Sequence, residues 1–136
     1  MTLSTPPWSA RGTAPVNGPA RDFAAVVCAS SAGVHAALVR PHLHESAALG
    51  AAFAMAAVAL AVASLAVAVL DPGAAADAAV VLLVGTAAAY LVSRTTGIPG
   101  LTVHPEPFDF LGTAVSCLEL IAAAVIGRPH IPRRSR

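Results

Sequence analysis

The chain has 136 residues, of which 57% are hydrophobic and only 11% charged, and its mean hydropathy is +0.74. Globular proteins carry about 25% charged residues, so this chain cannot clothe a water-exposed surface of its own size, whereas lipid accepts apolar side chains that face outward. All eight basic residues are arginine and the formal net charge is +1, which leaves no basic face for nucleic acid.

The length suits one domain. Residues 1–21 carry Pro6, Pro7, Pro15 and Pro19 with Gly12 and Gly18, and this composition predicts a flexible N-terminal tail. Asp22 opens the first apolar run, residues 23–39, whose 17 residues lie at the short end for a spanning helix. A signal peptide is the rival reading, because Arg11 and Arg21 precede the run. Val27 fits poorly before a lipoprotein-type cysteine at Cys28, so the run is read as a retained helix. Arg40-Pro41-His42-Leu43-His44-Glu45 is then the first polar island, read as a loop. Residues 46–70 form the strongest span, free of charge throughout. Asp71-Pro72-Gly73 reads as a turn, and residues 74–92 as the third span with Asp77 in its first turn. Gly97, Pro99, Gly100, Pro105 and Pro107 mark a loop. Residues 110–126 form the fourth span, and 128–136 a basic C-terminal tail.

These runs predict an all-α protein, a membrane-embedded four-helix bundle over residues 22–127 with short antiparallel connections. Alanine dominates the second and third spans, and Gly85 stands four residues before Ala89. Small residues let membrane helices approach backbone to backbone, or pair with another subunit. Arg11, Arg21, Arg128, Arg133, Arg134 and Arg136 fall on one side, Arg40 and Arg94 on the other. That asymmetry predicts a multi-pass protein of the plasma membrane with both termini cytoplasmic. Cys28 and Cys117 then lie towards opposite membrane faces, too far apart to pair, so two free, buried thiols are expected.

Most charges have a plain structural account. Asp22, Glu45, Asp77 and Asp109 sit at expected helix starts, and Arg40, Arg94 and Arg128 at expected ends, where each complements the helix dipole by about 0.3–1 kcal/mol. On the outer side, His42, His44, Glu45, His104 and Glu106 combine imidazole and carboxylate, the donors that suit Zn²⁺ or Cu²⁺. An extended His42-x-His44 presents both rings to one ion; on a helix they diverge by about 200°. The alternative is that these are solvated loop side chains, and the outer-face Arg40 and Arg94 either repel a cation or pair with the acids. Glu119 in the fourth span and His35 in the first are harder to dismiss. A charged group at such depth costs about 2.5–3.5 kcal/mol on insertion scales, so each should face the bundle interior with a partner. Ser30, Ser31, Thr86, Tyr90 and Ser116 are the candidate partners. No nucleophile elbow, HExxH, P-loop or dinucleotide fingerprint is present, so no catalytic residue is assigned.

His35, Pro41-His42, Glu45, Tyr90-Leu91-Val92-Ser93-Arg94-Thr95-Thr96-Gly97-Ile98-Pro99-Gly100, Glu106-Pro107-Phe108-Asp109 and Glu119-Leu120 together resemble a group of small uncharacterised four-span integral membrane proteins of high-GC Gram-positive bacteria. The similarity covers residues 23–126, and the Ser-Arg-Thr-Thr-Gly segment is its most specific part. The resemblance implies the topology alone. Three functions follow from the residues. The first is an accessory or structural subunit of a membrane assembly, with the lipid bilayer and other membrane subunits or a second copy as partners. The second is divalent metal binding at the outer His/Glu cluster. The third is a proton- or ion-coupled carrier using Glu119 and His35.

Overall fold

A computed structural model of the chain describes residues 18–70, 72–102 and 104–127. The expected N-terminal tail up to residue 17 and the basic stretch 128–136 lie outside the described residues. Four α-helices follow in order: α1 (Gly18–Glu45), α2 (Ala47–Val69), α3 (Pro72–Thr95) and α4 (Phe110–Ile126), with no strand among the described residues. The fold is all-α, a four-helix bundle.

By length and composition, α1, α2 and α3 can each cross a membrane. At 1.5 Å per residue, their 28, 23 and 24 residues give about 42, 34 and 36 Å, against a hydrocarbon core of about 30 Å. The 17 residues of α4 reach only about 26 Å, short of that core. Each helix packs on its neighbour in chain order and α4 returns to α1, while α1 and α3 barely touch across the diagonal. This is the up-down-up-down arrangement expected of short connections.

The buried positions of α1 (Ala24, Val27, Cys28, Ser31, Ala32) recur every three or four residues, so one face of the helix meets the bundle. Cys28, Leu60, Leu83 and Ala122 are completely or almost completely buried with Ala24 in one core. This core occupies the end of the bundle that holds Gly18 and Gly127, here called the termini end. On the opposite face of α2, Met55, Val58, Val62, Leu65 and Val69 are 61–70% exposed, a stripe that lipid or another apolar surface tolerates and water does not.

Several elements differ from the sequence-based expectation. The segment Arg40–Glu45 is not a loop but the last turns of α1, which runs through Pro41. A proline removes one backbone donor, a serious loss in mid-helix, but only four residues follow it here. The Ser46 N–H still bonds to the His42 carbonyl at 2.9 Å. Ser46 alone then turns the chain: its backbone is extended and its hydroxyl caps α2 at the Leu49 N–H. The turn is closed by Leu43 packing on Gly50, where a Cβ would strike the Leu43 side chain. At the other end, α1 begins at Gly18, so residues 18–21 are helical. Pro72 and Gly73 belong to the first turn of α3, where a proline is well suited. Gly85 is exposed and a Cβ there would meet nothing, while Ala89 lines a cavity rather than a helix contact. Helix contact inside this chain is therefore made by other small residues, Ala57, Ala63, Ala79 and Ala122 among them. Cys28 and Cys117 are both free, but only Cys28 is buried; Cys117 lies on the exposed face of α4.

One arginine ties the start of α1 to the end of α2 at the termini end. Arg21 of α1 donates through Nε to the Val67 carbonyl and through Nη2 to those of Ala68 (2.7 Å) and Leu70 (3.1 Å). These are last-turn carbonyls of α2, which have no donor within their own helix.

Candidate functional site

The chemistry is concentrated at the other end of the bundle, the loop end. Asp109 starts α4: its backbone is extended, and its Oδ1 accepts from the Gly112 N–H at 2.7 Å. Its Oδ2 accepts from Arg94 Nη2 at 2.9 Å, while Arg94 Nη1 donates to Glu106 Oε2. Arg94 stands in the last turn of α3. One guanidinium thus joins α3, the connecting loop and the start of α4. It also lies 4.8 Å from the centre of the Tyr90 ring, a cation–π distance. The Tyr90 hydroxyl reaches the Asp109 carbonyl (3.2 Å) and the Thr113 hydroxyl (2.9 Å). Such closeness requires Gly112, because a Cβ there would run into the Tyr90 ring. The loop is itself fastened: the Glu106 N–H bonds to the Ser93 carbonyl at 3.1 Å, and Gly97 and Gly100 adopt φ of +73° and +82°, values that glycine takes at no steric cost.

Of the residues expected to hold a metal, the fold brings together His42, Glu45 and Glu106, whose ligand atoms lie within 4.8 Å of one another. His44 is not with them. Helical geometry turns alternate positions about 200° apart, and His44 is exposed on the far side of α1. His104 is also exposed, and it joins no such group among the described residues. Arg40 is exposed on α1 and Arg94 is consumed by its two carboxylates. The expected five-residue cluster is thus a group of three. His42 Nδ1 lies 2.8 Å from the Leu38 carbonyl. A carbonyl only accepts, so Nδ1 carries a proton, and the neutral ring keeps its lone pair on Nε2. A backbone carbonyl fixing the tautomer in this way is common behind metal-binding histidines.

Deeper in the bundle, Glu119 of α4 is 1% exposed and accepts a hydrogen bond at Oε1 from the Ser31 hydroxyl of α1, also 1% exposed. The Thr86 hydroxyl of α3 stands beside the same carboxyl and donates to the Leu82 and Leu83 carbonyls at 3.0 and 3.1 Å. His35 lies one turn above Ser31 and donates from Nδ1 to the Ser31 carbonyl at 2.9 Å, so its free lone pair is likewise on Nε2. Phe53 of α2 contacts both imidazoles, stacked on His42 at 4.1 Å and tilted against His35 at 5.7 Å.

A cavity of about 330 Å³ links the two levels. Glu119, His35 and Thr86 line its deep end; His42, Arg94 and Glu106 line it at the loop end. From Val34 to His42 is eight residues along α1, so the cavity is about 12 Å deep. Its walls are mostly aliphatic, among them Val34, Leu38, Ala52, Ala56, Leu111 and Val115. The charged lining consists of Glu106, Asp109 and Glu119 against Arg94, so the balance is acidic.

Comparison with known protein families, with curated proteins and with solved structures finds no match. Function is therefore read from the geometry. Three contributors escape sequence reasoning. Phe53 is signalled only as the one aromatic residue of its span. Asp109 is legible as a cap but not as the partner of Arg94. Arg21 gives no sign that it closes another helix. Ser31, one of five possible partners for Glu119, is the one whose hydroxyl bonds it.

Proposed function

We propose that this chain is a small ion-coupled membrane carrier whose site is the cavity, with Glu119 and His35 as the groups that handle the coupling charge. The observation that carries this reading is that Glu119, wholly buried at mid-span, lines the deep end of a cavity that runs to the loop end. A bare carboxylate at that depth is costly, so it is balanced by a proton or by a bound cation. Exchange of one for the other is the elementary event of coupling. The packed core around Cys28, Leu60 and Leu83 closes the opposite end, as one state of alternating access requires. The arginine asymmetry of the sequence supports cytoplasmic termini, which turns the cavity towards the outside of the cell. Four spans without a broken helix are few for a carrier, so two copies acting together suit this reading better than one. The exposed stripe of α2 has room for a partner or for lipid.

The test is access. In a chain with Cys28 and Cys117 replaced by serine, Ser116→Cys, which lines the cavity, should react with an impermeant cationic thiosulfonate added to intact cells. Reaction only from the cytoplasmic side would overturn the orientation. No reaction from either side would overturn the cavity as a site.

The convergence of His42, Glu45 and Glu106 favours a second reading, a divalent Zn²⁺ or Cu²⁺ held at the loop end. One histidine and two carboxylates supply three of the four positions such an ion takes, and the His42 tautomer is already set.

A further inference from the structure

We infer that the molecule taken up by the cavity is a small, mainly apolar organic cation, an ammonium attached to a hydrocarbon body. This rests on the carrier reading above and names its substrate class.

The charge of the ligand follows from the lining. Three carboxyls face the cavity against one guanidinium. That guanidinium is paired through both Nη atoms with Glu106 and Asp109, which balance its charge at the loop end, and only its Nε is left without a partner. At the deep end, Glu119 is the acidic residue, and the side chains around it are hydroxyls and imidazole: Ser31, Thr86, Ser116 and His35. No arginine lines that end, and the chain has no lysine. An anion entering there would meet Glu119 without compensation.

The organic character follows from the walls and the ligand count. An inorganic divalent ion needs four or more donors close together. His35 and Glu119 form no such group among the described residues; the one found lies at the loop end. What surrounds the approach to Glu119 is aliphatic: Val34, Leu38, Ala56 and Val115. These side chains stabilise a hydrocarbon body and give nothing to a hydrated ion. An ammonium donates up to three hydrogen bonds, and a carboxylate with flanking hydroxyls is the matching acceptor set. The volume of about 330 Å³ is at the small end of ligand sites, which run from about 300 Å³ upward. One ring with a short chain fills it.

The test compares three probes of one shape on the full chain in lipid nanodiscs, with empty discs as reference for partitioning. The probes are phenylbutylamine, phenylbutanol and phenylbutyrate, and the readout is calorimetry. The amine should bind at least about tenfold more tightly than the alcohol, the gain expected of one charge-assisted hydrogen bond, and the carboxylate should bind most weakly. Glu119→Gln keeps the acceptor for Ser31 and should bring the amine to within about twofold of the alcohol measured on the same variant. Ala56→Leu, which fills the cavity and keeps Glu119, should abolish binding of both. Amine and alcohol binding within about twofold of each other in the wild type, or a preference for the amine that survives Glu119→Gln, overturns the substrate class. If in that event Ala56→Leu still removes alcohol binding, the cavity reading stands and only the cation is lost. Amine binding unchanged in Ala56→Leu overturns the assignment of the ligand to this cavity.

Discussion

The contact between Ser31 and Glu119 can be measured as a coupling energy. Both side chains are 1% exposed and the hydroxyl donates to Oε1. Replacing Glu119 by leucine leaves Ser31 buried without this acceptor, a loss of about 1–3 kcal/mol for an unpaired group. Two effects reduce it. A serine in a helix can turn its hydroxyl to the carbonyl four residues back, and leucine gains apolar burial that glutamate lacks. Interhelical hydrogen bonds in membranes average about 0.6 kcal/mol in double-mutant cycles, with a maximum of about 1.7. A coupling of about 1 kcal/mol is therefore expected from wild type, Ser31→Ala, Glu119→Leu and the double variant. Glu119→Gln, which preserves the acceptor, should fall within about 0.5 kcal/mol of wild type, below the cost of a lost hydrogen bond. The assay is unfolding in mild detergent by titration with a denaturing detergent, followed by circular dichroism. A coupling below about 0.3 kcal/mol, under half the membrane average, would refute the claim that this bond fixes α1 against α4.

Arg21→Ala removes every bond that Arg21 makes to the carbonyls of Val67, Ala68 and Leu70. The same unfolding assay should show a loss of about 1 kcal/mol, the helix-end charge effect with some hydrogen bonding added. Lysine, which lacks the planar fork, should restore less than half of it, and an unchanged Arg21→Ala variant would show that the carbonyls are served by water. For the divalent ion, calorimetric titration with Zn²⁺ should lose its heat in His42→Ala and keep it in His44→Ala and His104→Ala. Affinity should fall on acidification as protons compete for the ligand imidazole. Equal loss in His42→Ala and His44→Ala would mean that the histidines bind from a conformation other than this helix.

The fold class was legible because composition and run length decide it: so few charges require lipid, and each apolar run is long enough to be a helix. Helix ends were less legible. Pro41 and the charges around it read as a break, yet the turn needs only Ser46, because Leu43 and Gly50 fit together and Ser46 caps the next helix. That error placed His44 in the candidate metal group, since an extended segment and a helix point alternate side chains in opposite senses. Glu119 could be singled out from its depth alone, and the cost of burying it correctly demanded a partner. Which partner could not be read, because Ser30 and Ser31 differ only in the angle at which α1 faces α4. Arg94 and Asp109 were each explained by their own helix end, and the fold joins the two explanations into one ion pair.

The cavity is a consequence of residue size along the helices. Towards the termini end half of the core positions are alanine, with Cys28, Leu60 and Leu83 filling the centre, and such small side chains let four backbones close on one another. Towards the loop end three of these helices, α1, α2 and α3, carry His35, His42, Phe53, Tyr90 and Arg94 on their inner faces. These side chains are too large for the backbones to approach as closely, and they are held in place: Phe53 by two imidazoles, Arg94 by two carboxylates. They pack against one another around the walls and leave the axis open. Glu119 stands where the small residues give way to the large ones. There one of its oxygens is bonded to Ser31 and the group as a whole is set at the foot of the open space.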